Sequence, residues 1–124
     1  MQTERTHPVT NALAVANACA ELALEGEAEG SFPRPLAASV SDAANEAAAR
    51  LKAFISTYED ALSPYSVHRS FQALSDLEAI AQFAGLVLTY TSTPRGAGYL
   101  AKIVRHMANH AVDCLNYVEE SIYA

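Results

Sequence analysis

The clearest helical pattern in the chain is the stretch VSDAANEAAARLKAFISTYEDAL, which runs from Val40 to Leu62. Its apolar residues recur every three or four positions, and this spacing places side chains on one face of an α-helix. Charged and polar residues fill most of the remaining positions. The stretch predicts an amphipathic helix over about 37–62 that lies on a core. Its predicted inner face consists of Val40, Ala44, Ala47, Leu51, Phe54, Ile55, Tyr58 and Leu62.

Three further helices are predicted on either side of this one, over about 8–28, 67–91 and 98–122. Prolines in each connection interrupt the pattern, because the residue before a proline disfavours the helical conformation. Short connections between four helices of similar length predict antiparallel neighbours. We therefore expect an all-α fold, a four-helix up-down-up-down bundle forming one domain over 1–124, with residues 1–7 as a flexible N-terminus. The second helix should start between Leu36 and Ser41, and Ser66 should cap the third. The first helix should face inward with Val9, Leu13, Ala16, Ala20 and Leu24.

The second half of the third helix is apolar on nearly all sides. Between Ala79 and Tyr90 only Gln82 and Thr89 interrupt the apolar residues. Such a helix is either central in its own bundle or covered by another chain. The second option predicts a homodimer whose interface contains Ile80, Phe83 and Val87.

Composition excludes several classes of protein. The chain has 124 residues, 51% of them hydrophobic, and a formal net charge of -6. This apolar content is far above that of disordered chains, and the acidity disfavours binding to nucleic acid or to an anionic membrane. No apolar run is long enough for a membrane span, and a cytoplasmic location is expected. Cys19 and Cys114 are expected to be buried, reduced thiols with no disulfide between them.

The fourth helix carries the segment that most resembles a chemical site. His106 and His110 are four residues apart and so lie on one helical face, which Asp113 and Tyr117 continue. Two imidazoles and a carboxylate are ligands that zinc or iron accepts, so a metal-binding bundle is one alternative function. The Glu-x-x-His pairs of di-iron bundles are missing from the sequence, and further ligands would have to come from another helix.

A second alternative rests on Arg105 and His110, which are separated by four residues. This spacing resembles the Arg-x(4–6)-His signature of HEPN-domain RNases, which are small helical proteins that act as dimers. The resemblance implies that Arg105 and His110 act on a scissile phosphate in a cleft shared by two chains. On a regular helix the two residues lie about 140° apart, so they meet only if the helix is broken or two chains supply them.

The leading hypothesis rests on charge. Four glutamates lie in the last turns of the first helix, where the helix dipole already makes carboxylates mildly unfavourable. They suggest a docking surface for a protein with a basic surface, made of Glu21, Glu25, Glu27 and Glu29. The sequence has no catalytic motif, so we expect no enzyme activity, no cofactor and no resident metal. The expected function is that of an adaptor or inhibitor, comparable in size and charge with phage inhibitors of bacterial defence, immunity proteins and antitoxins.

Overall fold

The computed structural model describes residues 7–30, 32–89 and 94–123. They form the helices α1 (Pro8–Glu29), α2 (Arg34–Tyr58), α3 (Pro64–Thr89) and α4 (Pro94–Tyr123), and a short 3-10 turn, Glu59–Ala61, follows α2. The described residues contain no strand, and the predicted all-α fold is confirmed. Apart from His7, the N-terminus predicted to be flexible lies outside the described residues.

Contacts between helices show that neighbours run antiparallel. Near the start of α1, the Thr10 hydroxyl donates to a carboxylate oxygen of Glu119 near the end of α4, at 2.8 Å. In the first half of α2, the Ser41 hydroxyl donates to the carbonyl of Ala81 late in α3, at 2.9 Å. Helix α4 packs extensively against α1 and α3, and α2 against α3, whereas α1 and α2 pack less extensively. The predicted four-helix bundle is therefore confirmed.

The inner face of α1 consists mainly of small side chains and differs from the prediction. Leu24, predicted to face inward, is 54% exposed. Val9 and Ala16 are buried as predicted, but the other buried residues lie beside the predicted stripe, because alanines occur on several faces of this helix and do not distinguish them. Small residues on the buried stripe let α1 approach its neighbours closely. The stripe consists of Val9, Ala12, Ala16, Cys19 and Ala23.

The predicted inner face of α2 is confirmed over most of its length. Only its last two positions differ, because Tyr58 is 51% exposed and Leu62 lies beyond the helix, where it is partly buried. The six confirmed residues are Val40, Ala44, Ala47, Leu51, Phe54 and Ile55.

Three helices start earlier than predicted. Helix α4 begins at Pro94 instead of about Gly98, so that Pro94 lies in its first turn, where a missing N–H is harmless. Helix α2 begins at Arg34, earlier than the predicted 36–41, because Pro35 falls in the first turn, where a missing N–H is harmless. Helix α3 is capped by Ser63, whose hydroxyl accepts the backbone N–H of Ser66 at 3.1 Å. The prediction of Ser66 as the cap was wrong by one turn.

Two glycines bring the end of α1 against the start of α4. Gly30 ends α1 with φ of 68°, a left-handed conformation that glycine adopts without strain. A Cβ atom on Gly98 would lie 3.1 Å from the Cα of Gly30, so the two backbones are in close contact. This contact helps to set the register of α4 along α1. Within the described residues, no helix combines the length and the apolar character needed to cross a membrane.

Candidate functional site

The segment that contains Arg105 and His110 is ordinary continuous helix, since α4 extends unbroken from Pro94 to Tyr123. The two side chains contact different neighbours. Arg105 binds Glu27 on α1, whereas His110 binds Asp76 on α3. Within one chain they do not form the shared pocket that the resemblance to HEPN-domain RNases implies, and a common site would require a second chain.

His110 and Asp76 form a polar contact between α4 and α3. The Nδ1 atom of His110 lies 2.5 Å from Oδ2 of Asp76. The Asp76 side chain is 12% exposed, whereas that of His110 is 48% exposed, so the contact lies at the edge of the core. Burial raises the pKa of Asp76 above its usual value, and the hydrogen bond and charge of His110 oppose that shift only in part. The histidine therefore offsets part of the cost of burying the carboxylate.

Cys114 lies one helical turn after His110 and completes a three-residue cluster. Its Sγ is 3.9 Å from Nε2 and 4.0 Å from Nδ1 of His110, and 3.8 Å from Oε1 of Gln72. Both Cys114 and Cys19 are free and buried, as predicted. Burial raises the pKa of the Cys114 thiol, and it raises that of Cys19 to about 11. Both thiols therefore stay protonated near neutral pH.

The order Asp76, His110, Cys114 invites comparison with a thiol nucleophile and its base. In such an arrangement one ring nitrogen takes the thiol proton while a carboxylate holds the other nitrogen. Here the sulfur is almost equally far from both nitrogens, so it is not aligned with Nε2. It is also fully buried, and the thiol's raised pKa disfavours the thiolate that attacks. The cluster lacks the features of an activated nucleophile.

Arg105 and Glu27 form a two-bond ion pair between α4 and α1. Nε of Arg105 donates to Oε2 of Glu27, and Nη2 donates to Oε1 at 3.1 Å. The hydrogen bonds from Arg105 lower the pKa of Glu27, and the same bonds raise the pKa of Arg105. Glu27 was predicted to bind a partner, but it is already bound within the chain. The sequence offered no sign of this contact, because the two residues are far apart along the chain.

The other three glutamates predicted for the docking surface are Glu21, Glu25 and Glu29. Glu21 and Glu25 are exposed on α1, three residues before and one residue after the exposed Leu24. The side chain of Glu29 lies outside the part of the structure that is described. Glu21 and Leu24 border a shallow depression of about 260 Å³, which Arg105 also lines.

The residues predicted to form a dimer interface lie mostly inside the chain's own core. Ile80 is fully buried and Val87 is 2% exposed, while Phe83 is partly buried against the core. The apolar half of α3 is thus covered by the other helices of the same chain. Ile80 and Val87 offer no surface to a second copy, and the homodimer itself stays a prediction that light scattering can test.

His106 and His110, which the sequence places on one helical face, have different neighbours. His106 is exposed, and its charge acts on Glu27 on the α1 side of α4, whereas His110 contacts α3. The residue that the sequence analysis missed is Asp76. It could have been noticed as a charged residue within the buried stripe of α3, between Ala73 and Ile80.

A larger groove lies at the opposite end of α1, beside the end of α2. It has a volume of about 760 Å³ and is bordered mainly by apolar and aromatic side chains. The centroids of the His7 and Phe54 rings are 4.8 Å apart there, and those of the Phe54 and Tyr58 rings are 5.1 Å apart. Its lining includes Phe54, Tyr58, Leu62 and Ile122.

Comparisons with known proteins give no relative for this chain: no family model matches it, and neither a curated protein nor a solved structure is significantly similar.

Proposed function

We propose that the chain is a small, acidic, non-enzymatic interaction protein of the adaptor or inhibitor kind, whose α1 binds a basic surface of another protein. One observation carries the proposal. Leu24 is 54% exposed, and the exposed Glu21 and Glu25 lie three residues before it and one residue after it on α1. An apolar contact bordered by charges is the usual composition of a protein–protein interface.

The chemistry of this surface indicates which partner fits it. A partner with an apolar pocket for Leu24 and with Lys or Arg around that pocket would pair with Glu21 and Glu25. Complementary charge mainly raises the rate of association and the specificity, while the buried apolar contact adds affinity. Glu27 is left out of the proposed surface because Arg105 already binds it.

Charge and thiols support the same class of function. The net charge of -6 disfavours nucleic acid as the direct ligand, and a basic protein is the better match. The free thiols Cys19 and Cys114 fit a reducing compartment, and on this basis we propose a cytoplasmic location. Inhibitors of bacterial defence, immunity proteins and antitoxins are examples of this class, by analogy of size and charge.

The test is differential capture from a lysate of the native host. The bait carries either E21K/E25K on α1 or the matched reversal D42K/E46K on α2, which changes the net charge equally at the same spacing of exposed carboxylates. We expect a basic protein that binds the unmodified chain and D42K/E46K but not E21K/E25K. Leu24→Ala should weaken the same complex, and added salt should slow its formation.

An eluate from E21K/E25K that matches that of the unmodified chain would contradict the proposal. Equal losses for both double variants would show that net charge matters but that the α1 surface does not. Circular dichroism of each bait confirms that the helical fold is intact before capture.

A further inference from the structure

Asp76, His110 and Cys114 bring three metal-ligating groups together. One ligand atom from each lies within 4.8 Å of the others. Asp76 comes from α3, and His110 and Cys114 come from α4, where their spacing of four residues places them on the same face. Two antiparallel helices thus present a carboxylate, an imidazole and a thiol to one point.

We propose that this cluster binds a zinc ion, with a carboxylate oxygen of Asp76, a ring nitrogen of His110 and the sulfur of Cys114 as the three protein ligands. A water molecule on the exposed side of His110 supplies the fourth position. Three protein ligands and one water are a common coordination of zinc in proteins. This inference does not depend on the proposed docking function of α1.

The distances are close to those that zinc requires. Zn–S and Zn–N bonds of about 2.3 Å and 2.0 Å in a tetrahedron place the sulfur and nitrogen about 3.5 Å apart. The observed separations of Sγ from the ring nitrogens of His110 are 3.9 and 4.0 Å. Asp76 and His110, now 2.5 Å apart, must separate by under about 1 Å to admit the ion. The exposed ring of His110 can make this movement, since 48% of its side chain faces solvent.

The ligand set favours zinc over magnesium or calcium. Thiolate and imidazole are softer ligands than the oxygens that magnesium and calcium prefer. One thiolate and one carboxylate also neutralise the two charges of the ion, so the complex adds no net charge at the edge of the core. In the metal-free chain, burial raises the pKa of both Asp76 and Cys114 and so disfavours their anions. A divalent ion reverses that preference by taking the place of the proton.

Polar residues of α3 lie close to the cysteine of this cluster. Gln72 lies one turn before Asp76 on α3, and its Oε1 is 3.8 Å from the Cys114 sulfur. The same oxygen accepts a hydrogen bond from Nη1 of Arg69 at 3.3 Å, which holds the amide beside the thiol. The amide oxygen accepts a hydrogen bond only from the protonated thiol, so this contact belongs to the metal-free chain and must loosen when zinc binds the thiolate.

The experiment is a titration of the reduced, metal-free full chain with Co²⁺, which reports thiolate ligation by a charge-transfer absorption in the near ultraviolet. We expect one equivalent to bind, with the visible absorption of a four-coordinate ion, and Zn²⁺ to displace it. His110→Ala should weaken binding at least about tenfold. Cys114→Ser should remove the charge-transfer absorption.

The chain supplies a matched control for each variant. His106→Ala changes the neighbouring exposed histidine, and Cys19→Ser changes the other buried cysteine; both should bind Co²⁺ as the unmodified chain does. As a second readout, Zn²⁺ should raise the unfolding temperature of the unmodified chain and of His106→Ala, but not of His110→Ala.

Absence of the charge-transfer absorption in the unmodified chain would overturn the proposal. So would an absorption that survives in Cys114→Ser or that disappears equally in Cys19→Ser. If Cys114→Ser does not fold, the contrast between His110→Ala and His106→Ala decides, because both of these histidines are exposed.

Discussion

Helix α4 packs against α1 on one side and α3 on the other, and the two partners contribute differently to the core. The buried positions of α1 include Ala12, Ala16 and Ala23, whereas those of α3 include Leu77 and Ile80. Alanine contributes close approach of the helices, and leucine and isoleucine contribute buried apolar area. Helix α3 therefore supplies more of the hydrophobic stabilisation than α1 does.

The carboxyl groups that α4 contacts on these two sides also differ in the direction of their pKa shifts. Glu27, paired with Arg105 toward α1, has a lowered pKa because its hydrogen bonds favour the charged form. Asp76, paired with His110 toward α3, has a raised pKa because burial outweighs its partner. The comparison shows that a hydrogen bond from a basic side chain does not by itself lower the pKa of a carboxyl group, since burial can outweigh it.

The largest expected effect on the free energy of unfolding comes from a loss of buried apolar area on α3. Leu77 is fully buried, so Leu77→Ala should lower the free energy of unfolding by about 2–5 kcal/mol, as measured by urea denaturation. Phe71→Ala removes a side chain of the same helix that is 48% exposed and serves as the control. Equal losses from the two variants would contradict the assignment of Leu77 to the core.

The second effect tests the close packing of α1. Ala16 is fully buried, and Ala16→Leu should destabilise the bundle by about 1–3 kcal/mol because the added atoms have no space. Ala14 is exposed two residues earlier, and Ala14→Leu should leave the urea midpoint nearly unchanged. A stabilised Ala16→Leu variant would show instead that α1 leaves a void at this level.

The third effect is a change in the pH dependence of stability at Asp76. The pKa of Asp76 is higher in the folded chain than the usual 3.8, so the folded state binds more protons than the unfolded state between these two pKa values. The contribution of Asp76 to the free energy of unfolding therefore falls as pH rises from 3.8 through the pKa of the folded chain. Asp76→Asn should remove this decline when urea midpoints are compared between about pH 4 and pH 6 with a chelator present. Asp113→Asn, an exposed carboxamide substitution on α4, should follow the unmodified chain. A decline that persists in Asp76→Asn would exclude Asp76 as its source.

The smallest effect is expected at Glu27, and it has the opposite sign. The folded chain lowers the pKa of this carboxylate from 4.5, so its contribution to stability is present above that value and is lost as pH falls. Glu27→Gln should flatten this acid limb slightly, and salt should reduce the difference because the pair lies at the surface. Glu25→Gln on the same helix is the control, and an identical pH profile for the two variants would contradict a role for the Arg105 contact.

The sequence predicted the helices better than the contacts between them. The face of α2 was predictable because charged residues mark its outer side, whereas alanines on several faces of α1 hid which stripe is buried. The apolar run of α3 could not show whether Ile80 is covered by its own chain or by another. The contacts of Glu27 with Arg105 and of Asp76 with His110 depend on the register between helices. That register is set by packing along the whole length of the helices, so it cannot be predicted from a local sequence pattern.

The two buried thiols, one on α1 and one on α4, give the chain its own reporters of motion. An alkylating reagent reaches a buried sulfur only when the surrounding structure opens, so the labelling rate at each cysteine measures the free energy of that opening. Cys19 lies on the buried stripe of α1 between Ala16 and Ala23, and Cys114 lies among the contacts between α3 and α4. Their relative rates would therefore tell whether the first helix can detach while the rest of the bundle remains closed.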